Sequence, residues 1–477
     1  VRPLRARVGL AAAIAVLLLM LGYGPPQGMA ASEWRVAAVA LFMATAWVTE
    51  ALPIAATALV PLVAFPLLGV ASIDKVVPHY ANPILFLFLG GFVIAAAMEK
   101  WGLSRRIALF VVRVAGSRPD MQVAGFMAAT GFISMWVSNT ATTIMMLPIA
   151  VSVIAISERS GRGDPAFAPA LLLAVAYAAS IGGLGTLVGT PPNALLAAFL
   201  REQYGIQIGF AKWMLFGTPV AVLMMVCAWV VLTRLVFAVG REPVPEAVAS
   251  IDAELAALGP PGRGEVLTSA VFAAVALLWI TQPLIAGWLP GARISDAGIA
   301  IAGALALFLI PVDLKRGLFL LDVEWVAKVP WDVIILFGGG LSLAAAIGDS
   351  GLSGRIGEAL RVFAGWPTFA LLLAVIAVVI LLTEFASNTA VATVFLPIAG
   401  ALAGAIGLAP TAIAVPAAVA ASLAFMLPVA TPPNAIVFGA GRLTVPQMAL
   451  AGATLDLLAG LLVAVATYFL GGVLFGT

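Results

Sequence analysis

The sequence is poor in charge, cysteine and histidine. Of 477 residues, only 10% are Asp, Glu, Lys or Arg, against roughly 25% in a soluble domain. Hydrophobic residues make up 63%, and the mean hydropathy is +1.14. Lipid must be the solvent for most of such a chain. The single cysteine, Cys227, excludes an internal disulfide and a cysteine-ligated metal centre. The single histidine, His79, sits in SIDKVVPHYA and reads as a solvated loop residue rather than a ligand. HExxH, a Walker loop, GxSxG and a dinucleotide-binding GxGxxG are all missing, so an enzyme is not expected. The net charge of +2 points to no particular partner, and no nucleic acid is expected. The short alternating strands of a membrane β-barrel are missing too.

What is present is a series of long apolar segments with short polar breaks. They read as eleven spans, near 8–23, 34–50, 52–70, 82–100, 167–200, 213–238, 265–287, 295–311, 331–348, 409–440 and 447–474. The first follows several arginines like a signal peptide, but no clean small-residue cleavage site follows, so it is taken as a membrane helix. Segments 121–157 and 367–405 are too long for one crossing, since ~37 residues of helix would run about 55 Å. Each carries SNT in its middle, so each is expected to be a re-entrant hairpin. With the N-terminus inside and neither hairpin crossing, most basic residues fall on the cytoplasmic side, including Lys100, Arg105, Arg106, Arg113, Arg118, Arg159, Arg162, Arg234 and Arg241. The C-terminus then lies outside. Compact loops and Ala/Gly-rich composition suggest a bacterial inner membrane as the plasma membrane concerned.

The chain also repeats itself. GLSRRI at 102–107 answers GLSGRI at 351–356, and SNTATTIMMLPIA at 138–150 answers SNTAVATVFLPIA at 387–399, all at one offset of 249. GTPPNA at 189–194 answers ATPPNA at 430–435, with the offset slipped to 241. The expected organisation is an N-terminal helix and loop (1–33), a first repeat (34–238), a cytoplasmic linker with one short amphipathic helix (239–264) and a second repeat (265–477). The first repeat holds hairpin 121–157 and broken helix 167–200. The second holds hairpin 367–405 and broken helix 409–440. Five spans per repeat invert the second copy. Inverted repeats with matched interruptions are the signature of secondary transporters, with substrate bound near the midplane. The expected fold class is an all-α polytopic membrane protein.

The motifs carry the chemistry. Ser, Asn and Thr cap helix N-termini, where free N–H groups and the positive dipole end favour an anion. Pro191, Pro192, Pro432 and Pro433 forbid continuous helix and free carbonyls at depth. The oxygens on offer are neutral, which favours a monovalent ion such as Na⁺ over Ca²⁺ or Mg²⁺. Two matching SNT tips suit a small dicarboxylate, with sulfate as a compact second choice. Proton coupling would need titratable groups, for which Glu384, Asp456 and Glu50 are the candidates in spans or near their ends. Glu384 reads first as a hydrogen bond inside its hairpin, and Asp456 as a bond to a neighbouring helix.

With its paired SNT and PPN motifs, the sequence resembles the divalent anion/sodium symporter family over essentially its whole length. The resemblance implies eleven spans plus two hairpins, a homodimer, and scaffold and transport domains related by an elevator motion. By motif position it implies one sodium site at Ser134, Ser138, Asn139 and the Gly189 carbonyl. It implies a second at Thr383, Ser387, Asn388 and the Ala430 carbonyl. Substrate carboxylates would meet Ser138, Asn139 and Thr140 on one side and Ser387, Asn388 and Thr389 on the other, with Thr190 and Pro432 lining the cavity. The expected function is Na⁺-coupled transport of succinate, malate or fumarate. The alternatives are dicarboxylate exchange, or carriage of sulfate or citrate.

Overall fold

A computed structural model describes residues 4–160, 164–288, 291, 293–327 and 329–475. Residues 1–3, Arg162 among the inner-face cations, and 476–477 lie outside the described residues. Helix dominates. α1 (Leu4–Tyr23) packs on α2 (Ala31–Val48). Pro53 opens α3 (Ile54–Ala58), which runs on into α4 (Val60–Leu67), and α5 (Ile73–Val76) is a single turn. Asn82 caps α6 (Pro83–Lys100) by accepting from the Ile84 N–H, with Pro83 in the first turn where no donor is needed. Then come α7 (Leu103–Val114), α8 (Pro119–Ser134), α9 (Asn139–Arg159), α10 (Phe167–Gly183), α11 (Pro191–Tyr204), α12 (Phe210–Val230) and, between the halves, α13 (Pro245–Ala257). The second half holds α14 (Arg263–Trp288), α15 (Asp296–Leu309), the single turn α16 (Val323–Val326), α17 (Trp331–Asp349), α18 (Leu352–Leu360), α19 (Thr368–Thr383), α20 (Asn388–Ala405), α21 (Pro410–Ala420), α22 (Pro432–Phe438) and α23 (Val445–Phe475). Among the described residues, the only β structure is a two-stranded hairpin pairing β1 (Pro311–Asp313) with β2 (Leu318–Phe319).

Several helices are built to face lipid. Eight of the described helices are long and apolar enough to cross a membrane. The most apolar windows of α1 and α14 are only 17% buried. Leu19, Leu277 and Val473 stand out at 72%, 61% and 84% exposure. Water would not tolerate an apolar belt of that extent. The broken helices do the opposite. From Pro169 through Thr190 every residue is buried, and so is every residue from Thr411 through Phe425. These segments form the centre of the molecule, with lipid-facing helices outside them.

The halves interlock at this centre. α10 packs on α8, α9 and α22, while α21 packs on α19, α20 and α11. α22 also touches α9, and α11 touches α20. Each half thus supplies the second piece of its broken helix to the other half's SNT helix. α7 and α18 are helices where sequence reading places only connections. Each starts on a glycine in left-handed conformation, Gly102 (φ 70°) and Gly351 (φ 87°), which glycine reaches without steric cost. The segment Leu352–Phe363 meets α19 at 118°. His79 is not a solvated loop residue. Its Nδ1 pairs with the Glu202 carboxylate at the end of α11.

Candidate functional site

Each SNT begins a helix. Ser138 caps α9 by accepting from the Ala141 N–H at 3.3 Å, and Asn139 is the first helical residue. Ser387 and Asn388 stand in the same places at the start of α20. The N–H groups of a first helical turn have no partner within the helix. The tips are open enough to offer them: Ser138, Asn139, Thr140, Ser387 and Asn388 are half-buried. Thr389 is 8% exposed. Two helix N-termini with no Lys or Arg in either motif give a positive potential without fixed charge.

Behind each tip lies the same oxygen cluster. The Ser134 hydroxyl, at the end of α8, is 2.7 Å from Asn139 Oδ1 and 2.6 Å from the Ala179 carbonyl. The Thr383 hydroxyl, at the end of α19, is 2.8 Å from Asn388 Oδ1 and 2.8 Å from the Ala421 carbonyl. Ser134 and Thr383 are fully buried. The helices break next to these carbonyls: α10 stops at Gly183 and α11 starts at Pro191, while α21 stops at Ala420 and α22 starts at Pro432. Thr190 and Thr431 hold the N-cap positions, so the prolines take the first helical turn, where they are tolerated.

The PPN asparagines brace the breaks. Asn193 Nδ2 donates to the Gly183, Leu184 and Thr186 carbonyls at 3.1, 3.4 and 2.8 Å. Asn434 Nδ2 donates to the Ala424 and Leu427 carbonyls at 3.2 and 3.0 Å. The Oδ1 atoms of both are buried without a hydrogen-bond partner. Thr190 Oγ1 stands 3.5 Å from Ser422 Oγ and so joins one break to the other.

These oxygens fit a small hard cation. A Cβ placed on Gly183 would lie 2.8 Å from Asn139 Oδ1 and 3.1 Å from the Gly189 carbonyl oxygen. Two neutral oxygens therefore converge on the space that this glycine leaves open. The corresponding position in the second half, ten residues before the PPN asparagine, is Ala424. Among the described residues, no group of three or more His, Cys, Asp or Glu could hold a metal. Neutral carbonyl and hydroxyl oxygens beside broken helices suit Na⁺.

The structure joins Ser134 with Asn139, sets Asn139 beside Gly189, joins Thr383 with Asn388, and brings Thr190 to the opposite break. Ala430 is buried at the end of the second break, and Pro432 is exposed at the start of α22. Sequence reading missed Gly183, Ala179, Ala421 and Ser422, because backbone carbonyls and small residues carry no motif of their own. It quoted the PPN asparagines but gave them no role. It also misplaced one acid. Glu384 bonds across to the second break rather than inside its hairpin, accepting from the Met426 and Leu427 N–H groups at 2.8 and 3.0 Å.

Broken helices crossing at the centre, with paired oxygen clusters behind helix N-termini and a lipid-facing exterior, define a multi-pass membrane protein of the transporter class. The chain belongs to the family described as the sodium:sulfate symporter transmembrane region, which it matches over residues 5–476. It is 40% identical to the sodium-dependent dicarboxylate transporter SdcS of Staphylococcus saprophyticus, over 97% of this chain and 91% of that one. It is 38% identical to SdcS of Staphylococcus aureus strain USA300, over 98% and 92%. The fold is shared with Neisseria gonorrhoeae MtrF, described with a class of antimetabolite efflux pumps, at TM-score 0.60 and 13% identity over 97% and 96% of the two chains. It is also shared with the Alcanivorax borkumensis YdaH transporter, at TM-score 0.56 and 17% identity over 82% and 86%.

Proposed function

We propose that this protein carries a small dicarboxylate such as succinate, malate or fumarate across the plasma membrane, coupled to Na⁺. The observation that carries this reading is the pair of matched neutral-oxygen clusters, Ser134–Asn139–Ala179 and Thr383–Asn388–Ala421, each behind a half-exposed helix N-terminus. The names of its SdcS relatives agree with it. One Na⁺ sits with Ser134, Ser138, Asn139 and the Gly189 carbonyl. The other sits with Thr383, Ser387, Asn388 and the Ala430 carbonyl. The dianion spans the tips, with one carboxylate at Ser138, Asn139 and Thr140 and the other at Ser387, Asn388 and Thr389. Thr190 and Pro432 line its path.

Charge sets the order of events. No fixed cation stands in the motifs, so a dianion arriving first would be held by dipoles alone. Two Na⁺ ions bound first supply the compensating charge, and the neutral load then crosses at lower electrostatic cost. The proposed architecture is eleven spans plus two re-entrant hairpins in two inverted repeats, arranged as a homodimer whose transport domains move as elevators. The N-terminus lies in the cytoplasm and the C-terminus outside.

Purified protein in liposomes should accumulate labelled succinate down an inward Na⁺ gradient, and unlabelled malate and fumarate should compete. Equal uptake with choline in place of sodium would refute the coupling. Since the family description names sulfate, sulfate belongs in the competition panel. Stronger competition by sulfate than by malate would move the substrate assignment. Asn139→Ala and Asn388→Ala should each raise the Na⁺ concentration for half-maximal uptake on the order of tenfold, the loss of one ligand worth about 1.4 kcal/mol. An unchanged sodium dependence in both would refute the site.

A further inference from the structure

Asp120 gathers three arginines at the far end of α12. It stands in the first turn of α8, the helix that leads to Ser134, and its side chain is 1% exposed. Arg118, at the α8 N-cap, donates to the carboxylate through Nε and Nη2 at 3.2 and 2.9 Å. Arg234 Nη2 donates to it at 2.6 Å. Arg241 Nε stands 3.6 Å away, beyond hydrogen-bond range, with 64% of its side chain exposed. Direct contact therefore sets three positive charges against one negative. The nearby Asp164 is spent on backbone, accepting from the Gly240 and Ala166 N–H groups at 2.7 and 2.9 Å. Glu242 enters no ion pair among the described residues.

The backbone is bent to bring these groups together. α12 continues as π-helix over Val231–Val236, a widened form frequent at functional sites. Ala238 then takes a left-handed conformation (φ 48°), which a residue with a Cβ adopts only at a cost. The chain so turned carries Arg241 back to Asp120, and the Val244 N–H donates to the Ser117 carbonyl at 2.8 Å. Trp229 Nε1 donates to the Asp120 carbonyl at 2.9 Å, and its ring centre lies 5.4 Å from the Arg234 guanidinium.

The cluster sits where a lipid headgroup sits. Phe210–Val236 is long and apolar enough to cross a membrane, and Arg234 lies in its last turn. Leu223, Val226 and Leu235 are exposed along it, and a tryptophan such as Trp229 favours the membrane–water boundary. Arginine forks match phosphate oxygens two at a time. A soluble anion would gain nothing from the exposed Leu223 and Val226, whereas an amphiphile covers them. We propose that Arg118, Arg234 and Arg241 bind the phosphate of an anionic phospholipid whose acyl chains lie along α12. Its headgroup joins the base of α8, the end of α12 and the segment between the halves. This seat goes beyond the transport reading and does not depend on the coupling ion.

The test is native mass spectrometry of the purified full-length protein in detergent, titrated with phosphatidylglycerol and, in parallel, with zwitterionic phosphatidylcholine. Wild type should prefer phosphatidylglycerol. Arg241→Gln leaves Asp120 two arginine partners and should weaken that binding about fivefold, and Arg118→Gln/Arg241→Gln on the order of 25-fold. Arg201→Gln, which removes an exposed charge at the end of α11, should bind as wild type does. Equal affinity of wild type for the two lipids overturns the proposal. So does unchanged binding in Arg241→Gln, or an equal loss in Arg201→Gln, which marks a general effect of charge. A double variant that is no longer monodisperse leaves the decision to Arg241→Gln. Displacement of the lipid by inorganic phosphate, but not by chloride at equal ionic strength, makes this a site for a soluble anion and also overturns the proposal.

Discussion

Gly183 leaves the space into which Asn139 Oδ1 and the Gly189 carbonyl point. A methyl group there would stand 2.8 Å from the first and 3.1 Å from the second, inside normal van der Waals contact. Gly183→Ala should therefore abolish saturable Na⁺ stimulation at the first site while the protein still folds. The check is sodium-dependent uptake alongside the thermal midpoint in detergent. Ala424→Gly, at the corresponding second-half position, should leave sodium dependence within about twofold of wild type. Equal effects of the two substitutions would remove the asymmetry between the sites. The SNT serines were legible as helix starts because a cap needs only local sequence. Gly183 was not, since its partner oxygens come from elsewhere in the chain. His79 was misread for the same reason: Glu202 is 123 residues away.

A broken helix keeps its geometry only if the exposed carbonyls are satisfied, and at full burial water cannot do it. Asn193 does this for three carbonyls and Asn434 for two. Asn193→Ala and Asn434→Ala should each destabilise the protein by about 2 kcal/mol, the scale of leaving buried acceptors unpaired. Chemical unfolding in detergent would read this. Asn193→Asp should fare no better, because a carboxylate cannot donate to a carbonyl. A wild-type midpoint in the alanine variants would mean that the breaks are held by packing alone. The prolines announced the breaks in the sequence. Which carbonyls they free, and that an amide three residues into the next helix closes them, needed the fold.

Over the whole molecule, four ion pairs among the described residues tie the two halves together: Lys100–Asp322, Arg106–Glu265, Arg355–Glu33 and Arg442–Glu158. Lys100, at the end of α6, donates to Asp322 at 2.8 Å. That hydrogen bond is the main cause holding the Asp322 carboxyl below its ordinary value. A lowered pKa means the contribution is complete above the ordinary carboxylate value of about 4 and is lost as pH falls through the lowered one. Asp322 is about half exposed, so the effect is at most roughly 1 kcal/mol. Asp322→Asn should lower the unfolding midpoint slightly at pH 7, and the two proteins should converge at strongly acid pH. A gap that persists in acid would assign the effect to packing instead.

The sequence by itself determined that this chain lives in lipid, because charge is scarce over most of its length. It also determined where helices must stop and start, because proline and the capping residues act within a few positions of themselves. Only the tertiary structure decided which oxygens meet. Ser134 reaches Ala179, Thr383 reaches Ala421, and Thr190 approaches Ser422, through pieces of helix that cross at a buried centre. Such contacts depend on backbone carbonyls and on the absence of a side chain at Gly183. Neither leaves a local signal, because any residue carries a carbonyl and a glycine's neighbours are chosen by packing.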